Sequence, residues 1–203
     1  MSGSVTNILL AGVGGQGTIF VSKVITLALV KAGYDVKMSE VHGMSQRGGS
    51  VSTQVRYGPA VASPIVGKGS ADILVAFEKL EALRYSPWLK PEGILIVNGH
   101  EIPPMPVASG AMPYPQDVLE RLGASFATIV VDAASIAARI GNPKTMNVVL
   151  LGAMVEALGM ESMDWIQALG ASVPAKAMED NRAAFSAGRE AYRLNRGRRP
   201  IPS

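Results

Sequence analysis

The sequence predicts an α/β fold: a three-layer single domain spanning residues 1–203, with a mixed, largely parallel sheet, a Rossmann-like start and a helical C-terminal part. Three observations carry that expectation. A glycine-rich turn joins an apolar strand to a helix at the N-terminus, apolar runs alternate with helical stretches through the middle, and the residues beyond 132 show no strand pattern.

Residues 6–11 (Thr-Asn-Ile-Leu-Leu-Ala) read as a buried strand, and residues 18–32 as a helix stopped by Gly33. Residues 35–38 form a second short strand. Val51, Thr53, Val55 and Tyr57 alternate with Ser52, Gln54 and Arg56, the period of a half-exposed strand. Gly58-Pro59 is expected to turn that strand back on residues 60–66 as a hairpin. The continuous apolar runs 73–77 and 94–97 suit central strands covered on both faces, with a helix at 78–84 between them. Pro103, Pro104, Pro106, Pro113 and Pro115 make the next stretch irregular, with room for a short edge strand. A helix over 116–122 and a strand over 127–131 follow. Asp132 is then an N-cap for helix that continues almost to the end.

Composition limits the function classes. At 203 residues, 48% apolar and 17% charged, the chain is a globular domain able to bury a real core. The net charge of +3 is uneven: from Arg189 onward five arginines and one glutamate sum to +4, which leaves −1 for everything before them. The basic character belongs to an end expected to be a flexible tail from about residue 193, so nucleic-acid binding is not expected of the body. Cysteine is absent, which removes disulfides, a thiol nucleophile and thiolate-held clusters from this chain. With no leader pattern at the N-terminus and no long uncharged apolar run, a soluble, cytoplasmic protein that does not span a membrane is expected.

Two loops carry the chemistry. Gly12, Gly14 and Gly17, with Gly15 and Gln16 among them, satisfy G-x-G-x-x-G between a strand and a helix, where backbone N–H groups can hold a phosphate. The dinucleotide form also wants an acid at the end of the second strand, and Glu40 stands 23 residues after Gly17. A tight turn that needs glycine for packing alone is the other reading. Residues 39–50 (Ser-Glu-Val-His-Gly-Met-Ser-Gln-Arg-Gly-Gly-Ser) then set a carboxylate, an imidazole, an amide and a guanidinium among Gly43, Ser45, Gly48 and Gly49. Two such loops after two early strands point to one site. His42 is a candidate acid, base or hydrogen-bond donor, and equally a brace for its own loop. Gln46 flanks Arg47, whose fork suits a phosphate or carboxylate, or alternatively an ion pair with Glu40. Asn147, at the start of an apolar helix, reads as a ligand contact or as a helix-terminal hydrogen-bond partner. Two histidines without cysteine leave no metal-ligand spacing, so no metal is expected. No activated nucleophile and no acid/base pair of carboxylates is apparent, which is the pattern of a chain that completes another chain's site.

The combination of residues 12–17 (Gly-Val-Gly-Gly-Gln-Gly) with residues 40–49 (Glu-Val-His-Gly-Met-Ser-Gln-Arg-Gly-Gly) resembles the gamma-type domain of the 2-oxoacid:ferredoxin oxidoreductase family. The second motif is most similar to small (beta) subunits of its indolepyruvate branch. Residues 147–153 (Asn-Val-Val-Leu-Leu-Gly-Ala) and 179–188 extend the resemblance over about residues 6–192. It implies a subunit that is inactive alone and acts with a large (alpha) subunit carrying thiamine diphosphate and [4Fe-4S] clusters. It also implies coenzyme A as co-substrate, an arylpyruvate as substrate, ferredoxin as electron acceptor, and no cofactor held firmly by this chain itself. His42, Gln46 and Arg47 would then face the substrate carboxylate or the phosphates of thiamine diphosphate or coenzyme A. Two other readings stay open: a stand-alone NAD(P)- or flavin-binding oxidoreductase or sensor using Gly12–Gly17 with Glu40, and a purely structural subunit.

Overall fold

Six strands form one sheet in the order β2-β3-β1-β4-β5-β6. The strands are β1 (Thr6–Val13), β2 (Asp35–His42), β3 (Ser50–Gly58), β4 (Ala71–Ala76), β5 (Leu89–Asn98) and β6 (Ala127–Val131). The computed structural model describes residues 4–42 and 48–196, the side chain of His42 excepted. β1 pairs antiparallel with β3 on one edge and parallel with β4 on the other, and β4, β5 and β6 continue in parallel. β2 pairs antiparallel with β3, so β3 alone runs against the other five. The sheet is therefore mixed and largely parallel, as the sequence predicts.

Strand geometry divides the core. Along β1, Ile8 and Leu10 join Ile73, Val75 and Ile96 in a large core under α1 (Thr18–Lys31), α5 (Ala133–Ile140), α6 (Met146–Ala157), α7 (Trp165–Gly170) and α8 (Met178–Asn195). Leu9 and Ala11 join Leu74, Ala76, Leu95 and Val97 in a second core under α2 (Lys79–Tyr85) and α4 (Val118–Ser125). Because both faces are covered, these strands read as unbroken apolar runs. α6 is buried at every position from Val148 to Val155, so it has no polar face and lies inside the helical layer. Asp132 caps α5 by accepting from the Ser135 N–H at 3.1 Å. Among the described residues no helix is long and apolar enough to cross a membrane.

Four local expectations change. Residues 60–66 form no strand; β3 instead makes its hairpin with β2 and lies between β2 and β1. Pro59 and Pro64 lack N–H donors, and side chains do the work of a ladder. Gln54 accepts from the Val66 N–H at 2.6 Å, and Arg56 donates to the Ser63 carbonyl at 2.8 Å. Gln54 is buried under that covering and Ser52, further along the same face, is buried as well, so β3 is not half-exposed. In the proline-rich stretch the structure has one helical turn, α3 (Met105–Ala108), in place of an edge strand. Of the arginines assigned to the tail, Arg189 and Arg193 belong to α8. Both donate to Glu156 on α6, at 2.9 Å and 2.5 Å through their Nε atoms, and hold its carboxyl below the usual range, Arg193 most strongly.

α6 and α8 touch backbone to backbone. A Cβ on Gly152 would lie 2.1 Å from the Phe185 carbonyl oxygen, and one on Gly188 would lie 1.9 Å from that of Val149. Neither neighbour is a side-chain tip that can swing aside. Gly152→Ala and Gly188→Ala are each expected to lower unfolding free energy by on the order of 3 kcal/mol in denaturant titrations. A loss under about 1 kcal/mol in both would show that the helices can part cheaply.

Candidate functional site

The site forms where the parallel strands end, at the edge where β3 begins. β1 runs out at Val13, and the turn that follows is held by the side chain of Gln16. Its Oε1 accepts from the Val13 N–H and its Nε2 donates to the Phe77 carbonyl, both at 2.8 Å. The glycine turn is thereby tied to the end of β4. Asn98, fully buried, donates to the same Phe77 carbonyl at 3.1 Å and accepts from the Ala133 N–H. Gly17 has φ +86°, and a Cβ there would lie 2.3 Å from Asn147 Nδ2, so α6 packs its first turn directly on the turn. Gly15, at φ +104°, has open space beside it.

The second loop returns to the first. The Gly14 N–H donates to the Gly49 carbonyl at 2.8 Å, which extends the β1–β3 ladder one step past the Val13–Ser50 pair. Between the glycine turn and the two antiparallel strands lies a cleft of about 330 Å³, lined by Gly14, Gly15, Gly17 and Thr18 on one side and by Glu40, Val51 and Thr53 on the other. The first turn of α1 opens onto it, with backbone N–H groups that no carbonyl within the helix can satisfy. The cleft thus offers donors, one carboxylate and an apolar lip from Ile19 and Val41, both of which are exposed. That mixture suits a ligand with an anionic end and a hydroxyl-bearing or apolar body.

The structure accounts for the sequence candidates unevenly. Gly14, Gly15, Gly17 and Glu40 come together around the cleft. Gln16 turns away from it, its amide committed to backbone groups. Gly12 is a packing position, since a Cβ there would come within 3.0 Å of Gln16 Oε1 and Phe77 Cβ. Asn147 meets Gly17 and is half-buried. Gly48 has φ +75°, and with Gly49 it brings the chain back to β3. Gly43, Ser45, Gln46, Arg47 and the side chain of His42 lie outside the described residues. Among the described residues no group of three His, Asp or Glu side chains is arranged to hold a metal ion.

Sequence reasoning missed a buried acidic pair beside the turn. Glu78 follows β4 and caps α2, accepting from the Glu81 N–H at 3.0 Å. Its other oxygen accepts from Tyr114 Oη at 2.5 Å and from the Ile102 N–H at 3.2 Å. Burial, then the Glu78 carboxylate, push the Tyr114 phenol well above its ordinary value. Glu81, 4% exposed, accepts from Ser50 Oγ through one oxygen and from Arg84 Nε, at 3.2 Å, through the other. The one available signal was position: both follow the carboxyl end of a parallel strand, where sites form in open α/β sheets.

Burial raises the Glu81 carboxyl above the usual glutamate range, more than Ser50 and Arg84 lower it. Folding therefore favours the neutral acid, and its contribution is full below the unfolded value, about pH 4.3, and is lost as pH rises through the folded one. Glu81→Gln keeps the shape without the charge. Its melting temperature relative to wild type is expected to climb between about pH 4 and pH 7. A flat difference across that range would contradict a raised Glu81.

Comparison with known proteins identifies the family. The family model for pyruvate ferredoxin/flavodoxin oxidoreductases matches residues 7–191. The chain is 40% identical over 190 residues to the indolepyruvate oxidoreductase subunit IorB of Pyrococcus horikoshii, an alignment that covers 90% of this chain and 93% of that protein. The Thermococcus kodakarensis IorB is similar to the same extent, 40% over 190 residues, with the same coverage. In fold, the keto/oxoacid ferredoxin oxidoreductase gamma subunit of Geobacter sulfurreducens superposes with a TM-score of 0.73 at 23% identity, covering 95% of this chain and 98% of that one. With a family match spanning both glycine loops and all six strands, the chain belongs to the pyruvate ferredoxin/flavodoxin oxidoreductase family.

Proposed function

We propose that this chain is the small subunit of an indolepyruvate, or more broadly arylpyruvate, ferredoxin oxidoreductase. The complex would convert an arylpyruvate and coenzyme A to an arylacetyl-CoA and carbon dioxide, passing an electron pair to ferredoxin in the cytoplasm. The observation that carries this reading is the 40% identity to IorB proteins over nearly the full length of both chains. A large (alpha) subunit is the necessary partner. Thiamine diphosphate held there would supply the carbon-centred nucleophile for decarboxylation, and [4Fe-4S] clusters there would serve as electron acceptors. This chain has no cysteine, so it offers no thiolate to such a cluster.

The residues of this chain act by binding and orientation. The first turn of α1 and the glycine turn present N–H groups to an anionic ligand end, and Glu40 faces them across the cleft. The 39–50 loop contributes His42, Gln46 and Arg47 to the substrate carboxylate or to a phosphate of coenzyme A or thiamine diphosphate. The Gly14–Gly49 hydrogen bond, which holds the end of that loop against the glycine turn, supports this reading. A stand-alone dinucleotide-binding role is less well supported. In the dinucleotide fold the second strand lies beside the first, whereas here β3 separates β1 from the strand bearing Glu40.

Co-expression with the large subunit, followed by viologen reduction, tests the proposal. Indolepyruvate with coenzyme A is expected to outperform 2-oxoglutarate and pyruvate; preference for either of the latter would sink the assignment. Arg47→Ala should assemble normally and raise the KM for arylpyruvate or coenzyme A by about tenfold or more, the cost of one charge-assisted contact. Failure of that variant to assemble would instead favour a purely structural role for the loop.

A further inference from the structure

The wall of the cleft formed by β3 is tied down from behind. Ser50 is the first residue of β3 and lies opposite Val13, the last residue of β1. Side chains alternate along a strand, so Ser50 faces α2 while Val51 and Thr53 face the cleft. Behind the sheet, Ser50 Oγ donates to Glu81, and Tyr85 Oη stands 3.5 Å from the same hydroxyl. Glu81 itself cannot drift. Its N–H is held by Glu78, and Glu78 in turn is held by Tyr114 and the Ile102 N–H.

We propose that Glu81 is a positioning residue: by clasping Ser50 to α2 it fixes the start of β3, and through the Gly14–Gly49 hydrogen bond it sets the spacing between the glycine turn and the opposite wall of the cleft. The proposal rests on the reading of this cleft as the ligand-facing side of the subunit. A buried carboxyl is a costly way to fill space, since an apolar side chain would do so with no charge to desolvate. What the carboxyl adds is two hydrogen-bonding atoms at one tip. With Ser50 on one oxygen and Arg84 on the other, Glu81 joins β3 to the solvent edge of α2 in a defined geometry. Losing the clasp would free Ser50 and slacken the last β1–β3 rungs, and it would leave the strands' apolar packing in place.

The test uses the assembled complex and three variants: Ser50→Ala, which removes only a hydroxyl, Glu81→Ala, and Glu81→Gln, whose amide can still bond both Ser50 and Arg84. Amide hydrogen exchange over residues 48–53 is expected to quicken about tenfold or more in the two alanine variants and to stay near wild type in Glu81→Gln. In dye-reduction assays the alanine variants should raise the KM for arylpyruvate or coenzyme A about fivefold to tenfold with kcat within about twofold, and glutamine should restore it. Unchanged exchange in both alanine variants overturns the clasp. Quickened exchange with an unchanged KM overturns its positioning role, as does a glutamine variant as defective as alanine. Should the wild-type complex oxidise no arylpyruvate at all, the functional reading falls, and the exchange result still decides the clasp by itself.

Discussion

The side chain of Gln16 is the tie on which the site depends. Where β1 leaves the sheet, the Val13 N–H and the Phe77 carbonyl face each other across two diverging chains. Without Gln16 the buried Val13 N–H would be left unpaired, at a cost of about 1–3 kcal/mol, and the Phe77 carbonyl would keep only its bond from Asn98. One amide satisfies both, donor to one and acceptor from the other, which no hydroxyl or carboxylate could do with the same reach. That contact fixes the glycine turn against β4, and the turn's position then dictates the rest. Gly17 must be glycine because Asn147 stands where a Cβ would be, and Gly14 is aimed at Gly49.

From this tie the polar groups form a continuous band across the carboxyl ends of the parallel strands. Phe77 shares its carbonyl between Gln16 and Asn98, Asn98 receives the first N–H of α5, and Glu78 starts α2. The band lies at the boundary of two large apolar cores, so its members have little water to fall back on. Each is satisfied by protein atoms, and among the described residues no buried side-chain nitrogen or oxygen lacks a partner. A polar layer so completed favours one arrangement of the strand ends over its near alternatives.

Much of the architecture was legible in the sequence, for reasons that also explain what was not. Residues 73–77 and 94–97 announce buried parallel strands because two covered faces leave no polar alternation. The alternation at 51–57 gives the faces of β3 correctly but says nothing about its neighbours, and the nearby Gly58-Pro59 suggested the wrong one. In the site, the glycine turn and Glu40 were readable as a pair because the backbone fixes where strands end. Gln16 and Asn147 were less so, since an amide serves a ligand or a backbone carbonyl equally well and only tertiary contacts decide. Glu78 and Glu81 look in sequence like ordinary helix-start charges, and it is the arrival of Tyr114 and Ser50 from distant segments that makes them a buried pair.

The reversed strand also has a consequence for the order in which the molecule can assemble. β1 has no sheet partner close to it in sequence: its neighbours are β3, which pairs Thr6 with Tyr57, and β4 beyond that. The β2–β3 hairpin is local and can close early, whereas β1 must wait for it. During synthesis the buried β1 strand would emerge before β3 and remain unpaired until β3 had followed it. Closing so long a loop is slow relative to hairpin formation. α1, which follows β1 directly and buries Val21, Val24 and Ile25 in the same core, is the element placed to shelter that strand in the interval.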